Sequence, residues 1–370
     1  MHDDYTYFQD HEFRTSLAAY ERMQAGGESA ELDAETLTDI AEFYAMSHRH
    51  EEANRCIDYA LAFYPDSVDP KIFLARQQMF RDNMKEAWKI CNSIPEQDDR
   101  EVIFLRAELF LHEQKGEEGI MLLYNTYMED EDDPAEFLYD SIGVLKDYGY
   151  IELAIEWSES LRQEYPDYKA VIPLEAEAYN QTERYAEAAK LMEPYVMENP
   201  YDTQGWIQMC DAQLGLGKHE EALEAIDYVL AINPEHAEAT LMRGNIFYDK
   251  GEVREALTHY RKFLEYYPDD ITAMCMEIQS LVDLEEYETA IERLHFMLRH
   301  NNPYLPGYCY SYLAYCHDRL HHDEECLRYR KMAEKEPYNN LSYLFPDLYP
   351  SKDAGSPPAP GNWDFNELPF

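Results

Sequence analysis

Hydrophobic side chains recur at the spacing of an amphipathic helix along most of the chain, in short segments separated by polar breaks. The segment HEEALEAIDYVLAI, at residues 219–232, shows the pattern clearly, because Ala222, Ile226 and Val229 fall on one helical face. A polar stretch with glycine precedes this segment, and a proline follows it. Since glycine favours turns and proline ends helices, the pattern predicts short helices joined by turns.

A period of 34 residues organises these helices. The prolines that end them are Pro65, Pro166, Pro200, Pro234, Pro268, Pro303 and Pro337. An alanine lies 12 residues before many of them, at Ala53, Ala154, Ala188, Ala222 and Ala256. A second small residue lies 12 residues further upstream, as at Ala41, Ala176, Cys210 and Gly244. Small side chains let two helix backbones approach closely, and a helical hairpin must stack on its neighbours to bury its apolar face.

This pattern resembles the tetratricopeptide repeat, a helix–turn–helix unit of the same period. The match is best at residues 203–236, through Trp206, Ala222 and Pro234, and it continues over residues 237–270. The resemblance covers about residues 10–338. It implies an all-α fold, a right-handed superhelical solenoid of about nine helical hairpins.

The organisation expected from this resemblance has three parts. Residues 1–33 form an N-terminal half-repeat or cap with a helix at about 10–24, and residues 34–338 form the array. The repeats start near residues 34, 68, 100, 135, 169, 203, 237, 271 and 307. The second repeat lacks much of its last helical turn, and we expect Pro173 to kink the first helix of the fifth repeat.

Residues 339–370 break the pattern and are expected to form a flexible tail. Its Pro/Gly/Ser segment, SKDAGSPPAPGN, has no core to make. The tail ends in WDFNELPF, whose apolar residues are Trp363, Phe365, Leu368 and Phe370. Three interpretations stay open: the motif docks on the last helix and caps it, binds another protein, or lies in the groove of its own array.

Charge narrows the classes of partner. The formal net charge of −44 disfavours binding to nucleic acid and to anionic membranes, both of which attract basic proteins. Residues 1–10 lack the features of a signal peptide, and no apolar run has the length of a membrane helix. Seven cysteines without CxxC spacing indicate free thiols in a reducing compartment, so we expect a cytoplasmic protein.

Candidate chemistry is sparse. No nucleotide-binding, hydrolase or metalloprotease motif occurs, so we predict a non-enzymatic protein without a cofactor. The one cluster of metal-ligating residue types is Cys309, Cys316, His317, His321, His322 and Cys326. Because these cysteines occupy packing positions, we interpret them as small buried thiols beside turn histidines, and we predict no metal site.

The resemblance also implies that the first helix of each repeat lines a concave groove that holds an extended peptide. The positions expected to face this groove carry the acids Glu42, Glu108, Asp140, Glu177 and Asp211. Aromatic residues expected there are Phe104, Tyr139, Tyr312 and Tyr315. Family members that grip acidic chaperone tails use lysine at one of these positions, and this chain has none there. We therefore predict a protein–protein interaction scaffold for a basic or neutral peptide or protein segment.

Two alternatives accompany that prediction. The acidity of the groove could be a consequence of the charge of the whole chain, without selecting a partner. The protein could also be a structural component that self-associates, or that docks through its ends or its C-terminal tail.

Overall fold

The computed structural model describes residue 8 and residues 11–27, 31–47, 49–130, 132–299, 302 and 305–349. Within these residues the secondary structure is helical and contains no strand, which confirms the predicted all-α class. The helices of the first half are α1 His11–Gln24, α2 Ala34–Met46, α3 His50–Phe63, α4 Val68–Phe80, α5 Met84–Cys91, α6 Arg100–His112, α7 Gly116–Glu129, α8 Pro134–Asp147, α9 Ile151–Glu164, α10 Val171–Gln181 and α11 Tyr185–Glu198. Those of the second half are α12 Thr203–Gly215, α13 His219–Ile232, α14 Ala237–Asp249, α15 Val253–Tyr266, α16 Ile271–Asp283, α17 Tyr287–Met297, α18 Leu305–Arg319, α19 Asp323–Ala333 and α20 Leu341–Leu344.

Consecutive helices pair into hairpins within two compact bodies. The N-terminal body, Met1–Asn199, contains the hairpins from α2–α3 to α10–α11, with α1 packed against α2. The C-terminal body, Pro200–Phe370, contains the hairpins from α12–α13 to α18–α19, with α20 packed against α18. The predicted stack of repeats, with an extra helix before it, is therefore confirmed. The tail motif WDFNELPF lies outside the described residues.

The first helix of most repeats begins at a side-chain cap that the repeat pattern did not reveal. The carboxylates of Asp33, Asp99, Asp133, Asp202 and Asp270 each accept a hydrogen bond from a backbone N–H in the first turn of the next helix. Such caps satisfy N–H groups that have no partner inside the helix. They fix where these five helices start.

The small residues of the period lie where the helices cross. Each of the alanines Ala53, Ala154, Ala188, Ala222 and Ala256 has 0% exposure. Larger side chains surround them and form the core, as Ile226 and Val229 do around Ala222. The buried small residues confirm the helical register derived from the sequence.

In the hairpins from α4–α5 to α18–α19, each turn between the two helices places one residue in the left-handed region of backbone conformation. These residues include Gly149, Gly217 and Gly251, but also Asp82, Gln114, Glu183, Glu285 and His321. In the α6–α7 turn the nearby Gly116 is the first residue of α7, and it is Gln114 that has the positive φ. The turn geometry is thus common to the hairpins, whereas glycine is not.

Gly217→Ala is expected to destabilise the α12–α13 hairpin by about 1 kcal/mol, because φ is +71° and a Cβ is disfavoured there. No other atom lies within 4 Å of the Cβ position, so the cost comes from the backbone alone. Glu183→Ala, at the equivalent turn of an earlier repeat, should change stability by less than about 0.5 kcal/mol. Urea denaturation followed by circular dichroism compares the two variants, and equal losses would contradict the backbone explanation.

The N-terminal body contains a short helix and several helices with a proline. Helix α5 has only 8 residues, as the shortened second repeat predicted. Pro173 lies in the first turn of α10 rather than in its interior, because this helix begins at Val171. A proline costs little there, since the first N–H groups of a helix have no internal partner, so the expected cause of a kink is absent. Pro194, by contrast, lies inside α11.

The last repeat is covered by the segment that follows it. The Ser311 hydroxyl donates to the Gly307 carbonyl oxygen at 2.7 Å and accepts from the Asn340 N–H at 2.9 Å. A Cβ on Gly307 would lie 2.2 Å from the Pro337 carbonyl oxygen, so glycine permits this close approach. The phenyl ring of Phe345 packs against Tyr315. The chain thus turns back onto α18 before it continues towards the tail.

Candidate partner-binding site

The first helices of successive repeats contact one another in the N-terminal body: α2 with α4, α4 with α6, α6 with α8, and α8 with α10. The surface that these five helices share is called the first-helix face here. It carries the predicted site residues Glu42, Phe104, Glu108, Tyr139, Asp140 and Glu177. Asp211, Tyr312 and Tyr315 belong to first helices of the C-terminal body.

Ion pairs connect neighbouring first helices, and the widest of them joins Arg76 on α4 to Glu101 on α6 at 4.0 Å. Arg76 on α4 contacts Glu108 on α6 at 2.8 Å, and Arg100 on α6 contacts Asp140 on α8 at 3.0 Å. Lys146 on α8 contacts Glu177 on α10 at 2.6 Å. Three of the predicted acids are therefore already paired with cations of the adjacent repeat. The acids were visible in the sequence, but these partners were not identified, because the pairing depends on how one repeat stacks on the next.

Glu108 is the most enclosed of these acids, with 9% of its surface exposed. Both nitrogens of the Arg76 fork reach it, Nε at 2.9 Å and a terminal nitrogen at 2.8 Å. A bidentate pair of this kind is among the strong charge-assisted interactions of proteins. Glu108 therefore joins α4 to α6, and its charge is satisfied within the chain.

Other carboxyl groups of this face have a raised pKa. Partial loss of hydration raises the pKa of Asp69, Glu101, Asp140 and Asp147 above the ordinary range, although Glu101 and Asp147 are exposed and 55% of the Glu101 side chain is open to solvent. Neighbouring carboxylates add to this rise, while Arg76, Arg100 and Lys146 oppose it at Glu101, Asp140 and Asp147 respectively. Because burial disfavours the charged form, these carboxylates would gain from a further cation beside them.

The remaining predicted acids are more open. Glu42 is exposed on α2, and its charge acts on Arg76 of the adjacent helix. Asp211 is half-buried on α12 in the C-terminal body. Both have interactions with other parts of the protein.

The predicted aromatic contacts divide into core and surface residues. Phe104 has 3% exposure and stacks on Phe137, with ring centroids 5.0 Å apart. Tyr312 has 2% exposure, and its hydroxyl donates to Gln279 at 2.6 Å. These two side chains are packed inside the protein and leave little surface for a partner. Tyr139 and Tyr315 are half-buried, against Tyr168 and against Tyr287 and Phe345 respectively.

The cysteines of the last repeat are packing residues. Cys309 and Cys316 have 0% exposure and Cys326 has 5%, and burial raises the pKa of the first two thiols to about 12. His317 and His322 lie beside them, with their Nδ1 atoms 3.2 Å apart. In the described part of the chain, no three His, Cys, Asp or Glu side chains are placed to hold a metal ion.

Part of the C-terminal body matches the sequence pattern of a known family. A sequence model described as tetratricopeptide repeat matches residues 208–271, which run from within α12 to the first residue of α16. The chain therefore contains tetratricopeptide repeats. Members of this family generally act as protein–protein interaction scaffolds and are generally not enzymes. No curated protein matches the chain.

Solved structures that are similar to this chain have low sequence identity to it. A tetratricopeptide repeat protein from Parabacteroides merdae is 13% identical, with a TM-score of 0.47, over 68% of this chain and 97% of the other. A thermophilic member from Thermus thermophilus is 15% identical, with a TM-score of 0.40, over 54% and 98%. MamA from Desulfovibrio magneticus is 18% identical, with a TM-score of 0.38, over 46% and 97%. Among the described residues, no helix has the length and apolar character that crossing a membrane requires.

Proposed function

We propose that this protein is a non-enzymatic scaffold whose first-helix face binds a segment of a protein partner that carries lysine or arginine. One observation carries the proposal. Within the described residues, the carboxyl groups whose pKa is raised by burial are Asp69, Glu101, Asp140, Asp147 and Asp249. All of them belong to first helices, and none belongs to a second helix.

This distribution separates the first-helix face from the general acidity of the chain. A net charge of −44 places carboxylates on every surface, but it does not by itself confine the raised pKa values to first helices. Titratable groups with perturbed pKa values cluster at functional sites. The face is therefore the part of the N-terminal body best suited to gain from a cationic partner.

The chemistry of the partner follows from the exposed groups of this face. Glu42, Glu101 and Asp147 are exposed carboxylates that can accept a further hydrogen bond from lysine or arginine, although Glu101 also lies 4.0 Å from Arg76, and the half-buried Tyr139 offers part of its ring. Helix α2 adds Glu35 and Asp39 and has no basic residue. Glu108 is better excluded from a binding test, because lysine at this position would oppose Arg76 directly and disturb the packing of the repeats.

The test is a binding series with extended peptides of equal length that carry positive, zero or negative net charge. We expect the protein to prefer the positive peptides, and Glu101→Gln with Asp147→Asn to weaken that binding about tenfold or more, since charge-assisted hydrogen bonds are worth about 1.5–3 kcal/mol. Binding should also weaken on acidification at a pH above the ordinary carboxyl range. The sign follows from the raised pKa values, because these groups lose their charge early as the pH falls.

The matched control is Glu156→Gln with Glu193→Gln, which removes the same charge from exposed positions on second helices. It should leave peptide affinity within about twofold at moderate salt, since these residues lie on second helices outside the first-helix face and their effect at a distance is screened. An equal loss in both variants would mean that only the net charge matters. No preference among the peptides would contradict the proposal.

A further inference from the structure

A basic surface lies on the last second helix, close to the point where the described chain ends. The stretch from Leu327 to Lys335 contains Arg328, Arg330, Lys331 and Lys335 against one acid, Glu334. Leu327, Arg328, Lys331 and Lys335 are exposed, with 45% of the Leu327 surface open to solvent. They are named the α19 basic face.

Helical geometry sets this face opposite the packed side of the helix. Cys326, Tyr329 and Ala333 are the buried residues of α19, and they point towards the core. Leu327, Arg328 and Lys331 fall within an arc of about 100° on the other side, which they share with the exposed Glu324 one turn earlier, and Lys335 follows in the turn after the helix. An apolar side chain flanked by cations is thus presented outward.

The cations of this face are not paired with carboxylates within the described residues. Arg328 lies over the Tyr329 ring, 5.5 Å from its centroid, but Arg328, Lys331 and Lys335 form no ion pair with any carboxylate of the described residues. Elsewhere, many cations are paired, as Arg76, Arg100 and Lys146 are. In a chain with 75 acidic residues, this leaves a local site suited to an acidic segment.

We propose that the α19 basic face is occupied by the chain's own C-terminal motif, WDFNELPF. This motif combines the acids Asp364 and Glu367 with the apolar residues Trp363, Phe365, Leu368 and Phe370. Its acids match Arg328, Lys331 and Lys335, and its apolar residues match Leu327. The same acids would be repelled by the carboxylates of the first-helix face, so the charges favour α19 over that groove.

The connection is long enough for this contact. The hydroxyl of Tyr349 donates to Glu334, so the described chain ends beside the C-terminal end of α19. Residues 350–362 lie between that point and the motif. A polypeptide of this length without regular structure would have an average span of about 20 Å, and a helix of 11 residues is about 16 Å long. Such a short connection gives an effective concentration of about millimolar, so even weak docking is populated.

The experiment is zero-length cross-linking of lysine to carboxylate with a carbodiimide, in the full chain. Mixed normal and ¹⁵N-labelled protein distinguishes links within a copy from links between copies. We expect links from Lys331 or Lys335 to Asp364 or Glu367 within one copy. Arg328→Glu and Leu327→Asp should each lower the yield of these links about tenfold. The first substitution removes a cation that the acids of the motif would meet, and the second removes the apolar side chain that its apolar residues would meet. Asp364→Arg should restore the yield in the Arg328→Glu protein.

Lys190→Glu is the control, because Lys190 is an exposed lysine of the N-terminal body. This variant should leave the yield unchanged. Links that form only between copies would overturn the proposal in favour of self-association. Links spread evenly over many lysines, or no link to the motif, would overturn it in favour of a tail that binds elsewhere or stays free.

Discussion

Ala222→Arg is expected to lower the free energy of unfolding of the α12–α13 hairpin by about 4 kcal/mol. Ala222 has 0% exposure on α13, at the contact with α12. Overpacking of a core costs about 1–3 kcal/mol, and a guanidinium enclosed without a partner adds a desolvation cost of about the same size. The two effects act at one crossing, so this is the largest effect that we expect from a single substitution.

The measurement is hydrogen exchange of the α12 and α13 amides, because repeats unfold locally and a single global transition is not assured. Glu224→Arg serves as the control, since Glu224 is exposed on the same helix and should change stability by less than about 0.5 kcal/mol. If both arginines were tolerated equally, the helical register of α13 would have to be different.

Glu277→Ala is expected to cost about 3 kcal/mol, the second largest effect. Glu277 on α16 has 3% exposure and binds two arginines of the flanking second helices. Its Oε1 accepts from Arg261 Nε at 3.1 Å, and its Oε2 accepts from Arg293 Nε at 2.7 Å. Removal of the carboxylate leaves two cations close together without the anion between them. Both arginines keep some contact with water, which holds the loss at the lower end of the range for buried pairs.

Thermal denaturation of Glu277→Ala and of Glu288→Ala separates this network from helix propensity. Glu288 is an exposed acid near the start of α17, so its replacement should be nearly silent. Glu277→Gln should lie between the wild type and Glu277→Ala, because it keeps hydrogen-bond acceptance but loses the charge. A Glu277→Ala protein as stable as the wild type would contradict the role given to the network.

The periodic part of the fold could be derived from the sequence because it depends on local chemistry. Small residues at fixed spacing, such as Ala188 and Ala222, must lie at helix crossings, and the structure buries both completely. Pro173 was misplaced because a proline's effect depends on its distance from the first helical residue, which the pattern locates only within about two residues.

The candidate site was less accessible to sequence reasoning. The acids of the first helices could be read from the repeat, but Lys146 and Arg100 become their partners only when neighbouring repeats stack. Phe104 and Tyr312 had the expected positions, yet contacts with Phe137 and Gln279 enclose them. Whether a side chain faces a groove or a neighbour is decided by that stacking, which a linear pattern does not contain.

The cysteines have a consequence for how the array could be observed. Every cysteine is a free, buried thiol, and they are spread over several hairpins, with Cys56 on α3, Cys91 on α5, Cys210 on α12 and Cys275 on α16. Burial raises the pKa of Cys56 to about 12 and that of Cys91 to about 11, so a reagent can attack only after the hairpin opens. The rate of alkylation at each thiol therefore measures how often its own repeat opens. The local stability of several repeats can thus be measured in the natural chain, without an introduced probe.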